Sequence, residues 1–268
     1  MKKYLFIGSI ILAFMFPSVS FAESKILSME ELTIQLMPEY AYHSNDQQKD
    51  YPPLLIGYQG SMVNTSDRPQ KGLIEIPLPM GEKNFRIGYV ADYSSDLRTT
   101  YEIEYAIDRE KETISWTTSE EIGPNERYKF VIEFYTDSLK VNKVKKTLAY
   151  QFKSFADIGI VNVTFTKPSK AKKFKLTPTP NENQNHGEAA NISSYLFQEV
   201  KAGAEKNFTL TYERTETKPT TELLNDSTEV KVNENKKSTI IAVSAFSGIS
   251  VLSVAALTLL IRNRRERQ

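Results

Sequence analysis

Apolar residues recur at every second position along most of this 268-residue chain, and that period decides what it can fold into. Leu32, Ile34 and Leu36 alternate with Thr33 and Gln35. Phe85, Ile87 and Tyr89 alternate, as do Tyr101, Ile103 and Tyr105. Tyr128, Phe130, Ile132 and Phe134 follow, then Leu148, Tyr150 and Phe152, Val161, Val163 and Phe165, and Phe208, Leu210 and Tyr212. A period of two puts one face of a strand in the core and the other in water. Such faces need a second layer, which a sandwich supplies. Turn chemistry separates the runs at Asn64-Thr65-Ser66-Asp67, Pro79-Met80-Gly81, Gly123-Pro124-Asn125 and Pro178-Thr179-Pro180. The segment 193–200 admits a short helical turn. The pattern predicts an all-β fold of two tandem antiparallel β-sandwich domains of Ig or fibronectin type, 23–137 and 138–214, followed by a single transmembrane α-helix.

Both ends of the chain carry a different signal. Lys2 and Lys3 precede an apolar run from Tyr4 to Phe16, and Ser20-Phe21-Ala22 supplies small residues at the positions a signal peptidase reads. Residues 1–22 are therefore expected to be a signal peptide. Residues 239–261 hold no charge, which at ~1.5 Å per residue covers ~35 Å, enough for a ~30 Å hydrocarbon core. Arg262, Arg264, Arg265 and Arg267 follow it, so residues 262–268 are expected to be a basic tail on the cytoplasmic side, with the rest outside. No Leu-Pro-x-Thr-Gly precedes the apolar run, and the terminal arginines depart from a GPI signal. The stretch 215–238 is polar and almost free of aromatics, and it reads as a stalk. The expected location is the plasma membrane, single-pass.

Chemistry is sparse. The chain has no cysteine, which removes disulfides, thiol catalysis and zinc ribbons. Its two histidines, His43 and His186, fall in different predicted domains and polar loops. No Gly-x-Ser-x-Gly turn occurs. Asp92-Tyr93-Ser94-Ser95-Asp96 begins like a calcium loop, but Leu97 replaces the glycine and Ile103 the closing glutamate. Tyr40, Tyr42 and Tyr51 among amides could stack on a sugar or pack on one another. Trp116 follows Ile114 in a strand pattern and reads as core. No catalytic residue, metal site or cofactor is predicted.

Charge is distributed unevenly. Residues 23–137 hold 11 basic and 21 acidic side chains, whereas 138–175 hold ten lysines and one acid, Asp157. The lysines gather as Lys140, Lys143, Lys145, Lys146 and as Lys167, Lys170, Lys172, Lys173, Lys175. They can guard sheet edges, dock on the acidic first domain, or bind a polyanion such as anionic lipid or a wall polymer. We expect no nucleic-acid role. The function this supports is a membrane-anchored extracytoplasmic binding or scaffold protein of the cell envelope, not an enzyme, with a lipid, wall polymer or another envelope protein as partner. The alternative is an envelope enzyme with a carboxylate-based site that spacing does not reveal.

Three stretches carry a resemblance: Glu133-Phe134-Tyr135-Thr136-Asp137, the run from Val161 to Pro168, and the strand from Gly203 to Tyr212. In these the chain resembles a family of exported, membrane-anchored bacterial proteins with tandem carboxypeptidase-regulatory-like or fibronectin-like β-sandwich domains. The Gly123-to-Tyr128 run is also similar to the corner of such sandwiches, where a tyrosine closes the turn. The resemblance implies architecture and no chemistry.

Overall fold

A computed structural model of the protein describes residues 27–46, 50–94, 99–186 and 190–228. The expected leader, apolar segment and basic tail lie outside the described residues. Among the described residues no helix is long and apolar enough to cross a membrane.

The alternating runs form strands β1 (Leu27–Pro38), β2 (Leu54–Asn64), β3 (Leu73–Pro77), β4 (Arg86–Tyr93), β5 (Thr100–Glu102), β6 (Ala106–Asp108), β7 (Thr113–Thr117) and β8 (Arg127–Thr136). Beyond these come β9 (Lys140–Asn142), β10 (Lys145–Lys153), β11 (Ile158–Thr166), β12 (Lys172–Thr177), β13 (Glu182–His186), β14 (Ala190–Val200) and β15 (Glu205–Glu213). A helix, α1 (Thr220–Thr228), ends the described chain. Apart from α1, the regular structure of the described residues is essentially all strand, as the period of two predicts.

Eight strands make one large sheet in the order β13-β14-β11-β1-β2-β8-β4-β5. Two smaller sheets, β3-β7-β6 and β12-β15-β10-β9, complete the fold. The large sheet crosses the expected boundary at Asp137 and Ser138. Its crossing point is a parallel pair, β1 with β11, in which Thr33 faces Asn162 and Leu36 faces Phe165. Its other pairs are antiparallel.

Both small sheets lie on the same face of the large one. Leu36, Ile56 and Phe165 align on that face across three strands. Phe208 of the four-stranded sheet packs on Phe165 and Tyr195, with ring centroids 5.7 and 4.7 Å apart. Trp116 of the three-stranded sheet meets Phe130 edge-on at 5.2 Å. The side chains join into one apolar core. Each leucine, isoleucine or phenylalanine buried there contributes about 1.5–3 kcal/mol. Gly60 is required by this packing, because the Phe130 ring occupies the space a side chain would fill.

Trp116 is core, as its pattern predicts, and its indole N–H donates to the Tyr128 hydroxyl at 2.7 Å. That hydroxyl donates in turn to the buried Asp92 carboxylate. Tyr128 thus closes its corner on a side chain. Two expectations change. Residues 193–200 belong to strand β14, because β11 offers them an eight-residue antiparallel register. The segment after 214 is also ordered as far as Thr228: α1 and the stretch before it are held by hydrogen bonds from both halves of the molecule.

Candidate functional site

Period two continues past the apolar residues at one end of the four-stranded sheet. Lys146 shares the inward face of β10 with Leu148 and Tyr150, and Arg214 follows Tyr212 in phase just beyond β15. Both cations are therefore turned into the protein, at 1% and 2% exposure. Their counter-charge is Glu39, fully buried at the end of β1 in a left-handed conformation with φ 48°. The Arg214 Nη1 lies 3.3 Å from Glu39 Oε1, and the Lys146 Nζ lies 3.8 Å from it. The Tyr212 hydroxyl donates to Glu39 Oε2 at 2.6 Å. Burial, reinforced by Glu39, pushes the Tyr212 phenol far above its ordinary value, so it stays a donor. Burial pulls the Lys146 ammonium below its ordinary value; Glu39 opposes this and Arg214 adds to it. The Tyr51 ring covers that ammonium at 4.0 Å.

Arg214 uses its remaining donors as a clamp. It donates to the carbonyls of Ser169, Glu216 and Lys218, at 2.9, 3.1 and 2.6 Å. The Glu39 carbonyl accepts from the Thr220 N–H, and the Tyr40 carbonyl from the Thr221 N–H. The Thr220 hydroxyl accepts from the Ser169 N–H. The chain leaving β15 is thus pinned to β1 on one side and to the β11–β12 turn on the other. This hub fixes where the rest of the chain departs.

The predicted lysines divide around it. Lys140, Lys143, Lys145, Lys170, Lys172, Lys173 and Lys175 are exposed, and Lys167 is half-buried. Lys146 is the correction: it is buried against Glu39 and presents no charge to a polyanion. The exposed seven share the end of the four-stranded sheet at which β10 and β12 begin and β15 ends. There Lys145 and Lys172 flank Glu213 in register. Lys173 pairs with Glu213 at 2.9 Å in an exposed bridge worth at most about 1 kcal/mol. The backbone N–H groups of Lys218 and Thr217 hold the nearby Glu216 carboxyl below its ordinary value.

The other candidates resolve into structure. His43 bonds the Ile87 carbonyl at 3.2 Å through Nε2, accepts the Asn45 N–H at Nδ1, and packs edge-on against Tyr135. Through Tyr135 it joins Tyr40 in covering the second face of the large sheet, where Met37, Leu55 and Val131 cluster. Arg86 reinforces that cover by pairing with the buried Asp46 and with Asp137. His186 lies in β13, backbone-paired with Ala190. Asp92 faces the core and accepts from Ser119 and Tyr128, so it is turned away from any calcium loop. Tyr42 donates to the Thr217 carbonyl and Tyr51 covers Lys146, so these rings serve the exit segment. Among the described residues no cluster of three metal-ligating side chains occurs. A cleft of about 380 Å³ opens between the four-stranded sheet (β10, β15) and the ends of β2 and β8, lined by Leu54, Ile56, Gln151, Asn207 and Glu82. Its one carboxylate, Glu82, accepts from the Ser138 hydroxyl at 2.6 Å.

No protein-family model and no curated protein matches the chain. Among solved structures, a Legionella pneumophila protein provisionally named as nutrient-binding is similar over 69% of this chain and 67% of its own. The identity is 12% and the TM-score 0.42, a likeness that carries no argument about what this chain does.

Proposed function

We propose that the chain is a membrane-anchored extracytoplasmic binding or scaffold protein of the cell envelope. In this reading 1–22 is a cleaved leader, 239–261 crosses the plasma membrane, and 262–268 stays inside. Residues 23–137 and 138–214 act as two sandwich units of Ig or fibronectin type, joined edge to edge through β1 and β11. The observation that carries the reading is that the conspicuous buried polar groups are spent on architecture. Glu39, Asp92 and Arg214 each hold a corner or the chain exit in place, as the half-buried His43 holds β4. What the molecule offers outward is a shaped surface with a concentrated basic end. The alternative, a carboxylate-based envelope enzyme, would need two facing carboxylates in a cleft; the cleft beside β10 and β15 contributes Glu82.

The test is topology. Protease added to intact cells or spheroplasts should remove residues 27–228 and leave a membrane-bound fragment carrying the arginine tail. A cut tail with a protected folded portion would overturn the reading.

A further inference from the structure

The exposed lysines surround the point where the chain leaves the second unit, and the structure explains why they are close together. Lys140, Lys143 and Lys145 lie on the β9–β10 hairpin, which forms one edge of the four-stranded sheet. Lys170, Lys172, Lys173 and Lys175 lie on or just before β12, which forms the other edge. The exit strand β15 runs between β10 and β12, so the two groups bracket it. Edge protection accounts for lysines on β9 and β12. It does not account for Lys145, on an interior strand, or for Lys143 and Lys170, which sit in turns. Lys143, Lys170 and Lys173 also occupy left-handed backbone, at φ 53°, 64° and 50°, where glycine or asparagine is less strained. The edges of the first unit are not guarded this way, since β5 and β6 contain no lysine. The carboxylates at this end include Glu213, engaged by Lys173, and Glu216, folded onto its own backbone, and α1 carries Glu222 and Asp226.

We infer that this end of the second unit docks on the anionic phospholipid headgroups of the bilayer that holds the chain. The inference rests on the membrane-anchored reading and adds to it a contact surface and its chemistry. Ten residues, 229–238, separate the last residue of α1 from the uncharged run that begins at Thr239. Ten residues span at most ~35 Å, so the tether keeps the lysines beside the surface at high effective concentration. Attraction acts within a Debye length, ~8 Å at physiological salt, so it holds only if the lysine end itself meets the headgroups. Each lysine that does so multiplies the bound population by about fivefold.

The experiment uses the full chain reconstituted into vesicles of phosphatidylcholine, with or without phosphatidylglycerol. Lysines are acetylated from outside by a water-soluble reagent and the rate is read residue by residue. Lys71 and Lys83, exposed on the first unit, are the references. At low salt, labelling of Lys143, Lys145, Lys170 and Lys172 should slow at least about fivefold in anionic vesicles relative to neutral ones. It should recover at ~1 M salt, where the Debye length is ~3 Å. In the variant carrying Lys143→Gln, Lys145→Gln, Lys170→Gln and Lys172→Gln, Lys173 and Lys175 should lose protection, because the attraction is collective. Equal labelling in both vesicles overturns the inference while leaving the anchor intact. So does protection of Lys175 that persists in the variant, which would come from tether geometry and not from charge. Protection by added poly(glycerol phosphate) on neutral vesicles, with none from anionic bilayers, would assign the patch to a soluble polyanion instead. A chain that fails to integrate into either vesicle refutes the anchor and this inference together.

Discussion

Replacing Glu39 by glutamine keeps the shape of the hub and removes its only negative charge. The amide oxygen still accepts from Tyr212, but Arg214 and Lys146 are left as two buried cations, 3.3 and 3.8 Å from a neutral group. Breaking a buried ion pair on one side costs about 3–5 kcal/mol. Two features set the value at the low end of that range. Arg214 keeps three backbone carbonyls as acceptors. Lys146, whose ammonium is already disfavoured by burial, can give up its proton once Glu39 no longer supports it. We expect a loss of about 3 kcal/mol, or roughly 6–12 °C in melting temperature for a fold of this size. Urea unfolding should show a lower midpoint at unchanged slope, because the exposed surface is the same. Lys146→Met provides the sign test. In the natural protein it should change stability by less than about 1 kcal/mol, since the 3.8 Å separation is too long for a hydrogen bond. In the Glu39→Gln background it should be stabilising, because it removes an uncompensated charge. A Glu39→Gln variant within about 1 kcal/mol of the natural protein, or a Lys146→Met effect identical in both backgrounds, would refute the reasoning.

Two further outcomes follow from the packing. Burial raises the phenols of Tyr58, Tyr128, Tyr150 and Tyr212, and pushes those of Tyr135 and Tyr195 up to about 12. A phenol raised in the folded state keeps its proton where the unfolded chain loses it, so stability is intact below pH ~10 and falls as pH rises above it. Each such group costs up to about 1.4 kcal/mol per pH unit, and a typical folding free energy is only about 5–15 kcal/mol, so the fold is expected to give way in alkali. Tyrosinate absorbance should therefore rise cooperatively, together with loss of near-ultraviolet dichroism; independent titration near pH ~10 in a folded protein would contradict this. Gly60→Ala would force its Cβ into the Phe130 ring. It should cost about 1–3 kcal/mol in thermal unfolding, and the second change Phe130→Leu should recover part of that loss.

Much of this fold is legible in the alternation itself. The runs around Ile34, Phe130, Tyr150, Val163 and Leu210 each become a strand with the expected inward face. The same alternation contains the hub's cations: counting by two from Phe152 reaches Lys146, and from Phe208 reaches Arg214. Reading Lys146 by its neighbours in charge rather than its neighbours in phase misplaces it on the surface. Glu39 is beyond such counting, because it meets Tyr212 across 173 residues of sequence and sits in a loop. The parallel pairing of β1 with β11 is hidden for a similar reason: both strands look complete alone, and period two fixes faces without naming edge partners. The segment 215–228 lacks the apolar residues that would announce folded structure. It is ordered by hydrogen bonds to Arg214, Glu39 and Tyr40, a device that composition does not register. The lysine cluster is legible as charge, but its bracketing of the chain exit depends on strand order.

The parallel β1–β11 pair also sets a clock on assembly. Gln35 and its partner Thr166 are 131 residues apart, so β1 waits for the whole intervening chain before β11 can join it. During that interval β1 has β2 on one side and an unoccupied row of N–H and C=O groups on the other. Such an edge accepts any strand of matching register. The best match present is β11 of another nascent copy, which offers the same seven paired positions as the chain's own. Crowding of unfinished copies is therefore expected to favour an exchanged dimer, in which each β1 is closed by its neighbour's β11. The β8–β11 connection decides between the two outcomes, because shortening it would leave the local β11 unable to reach while the neighbour's still can.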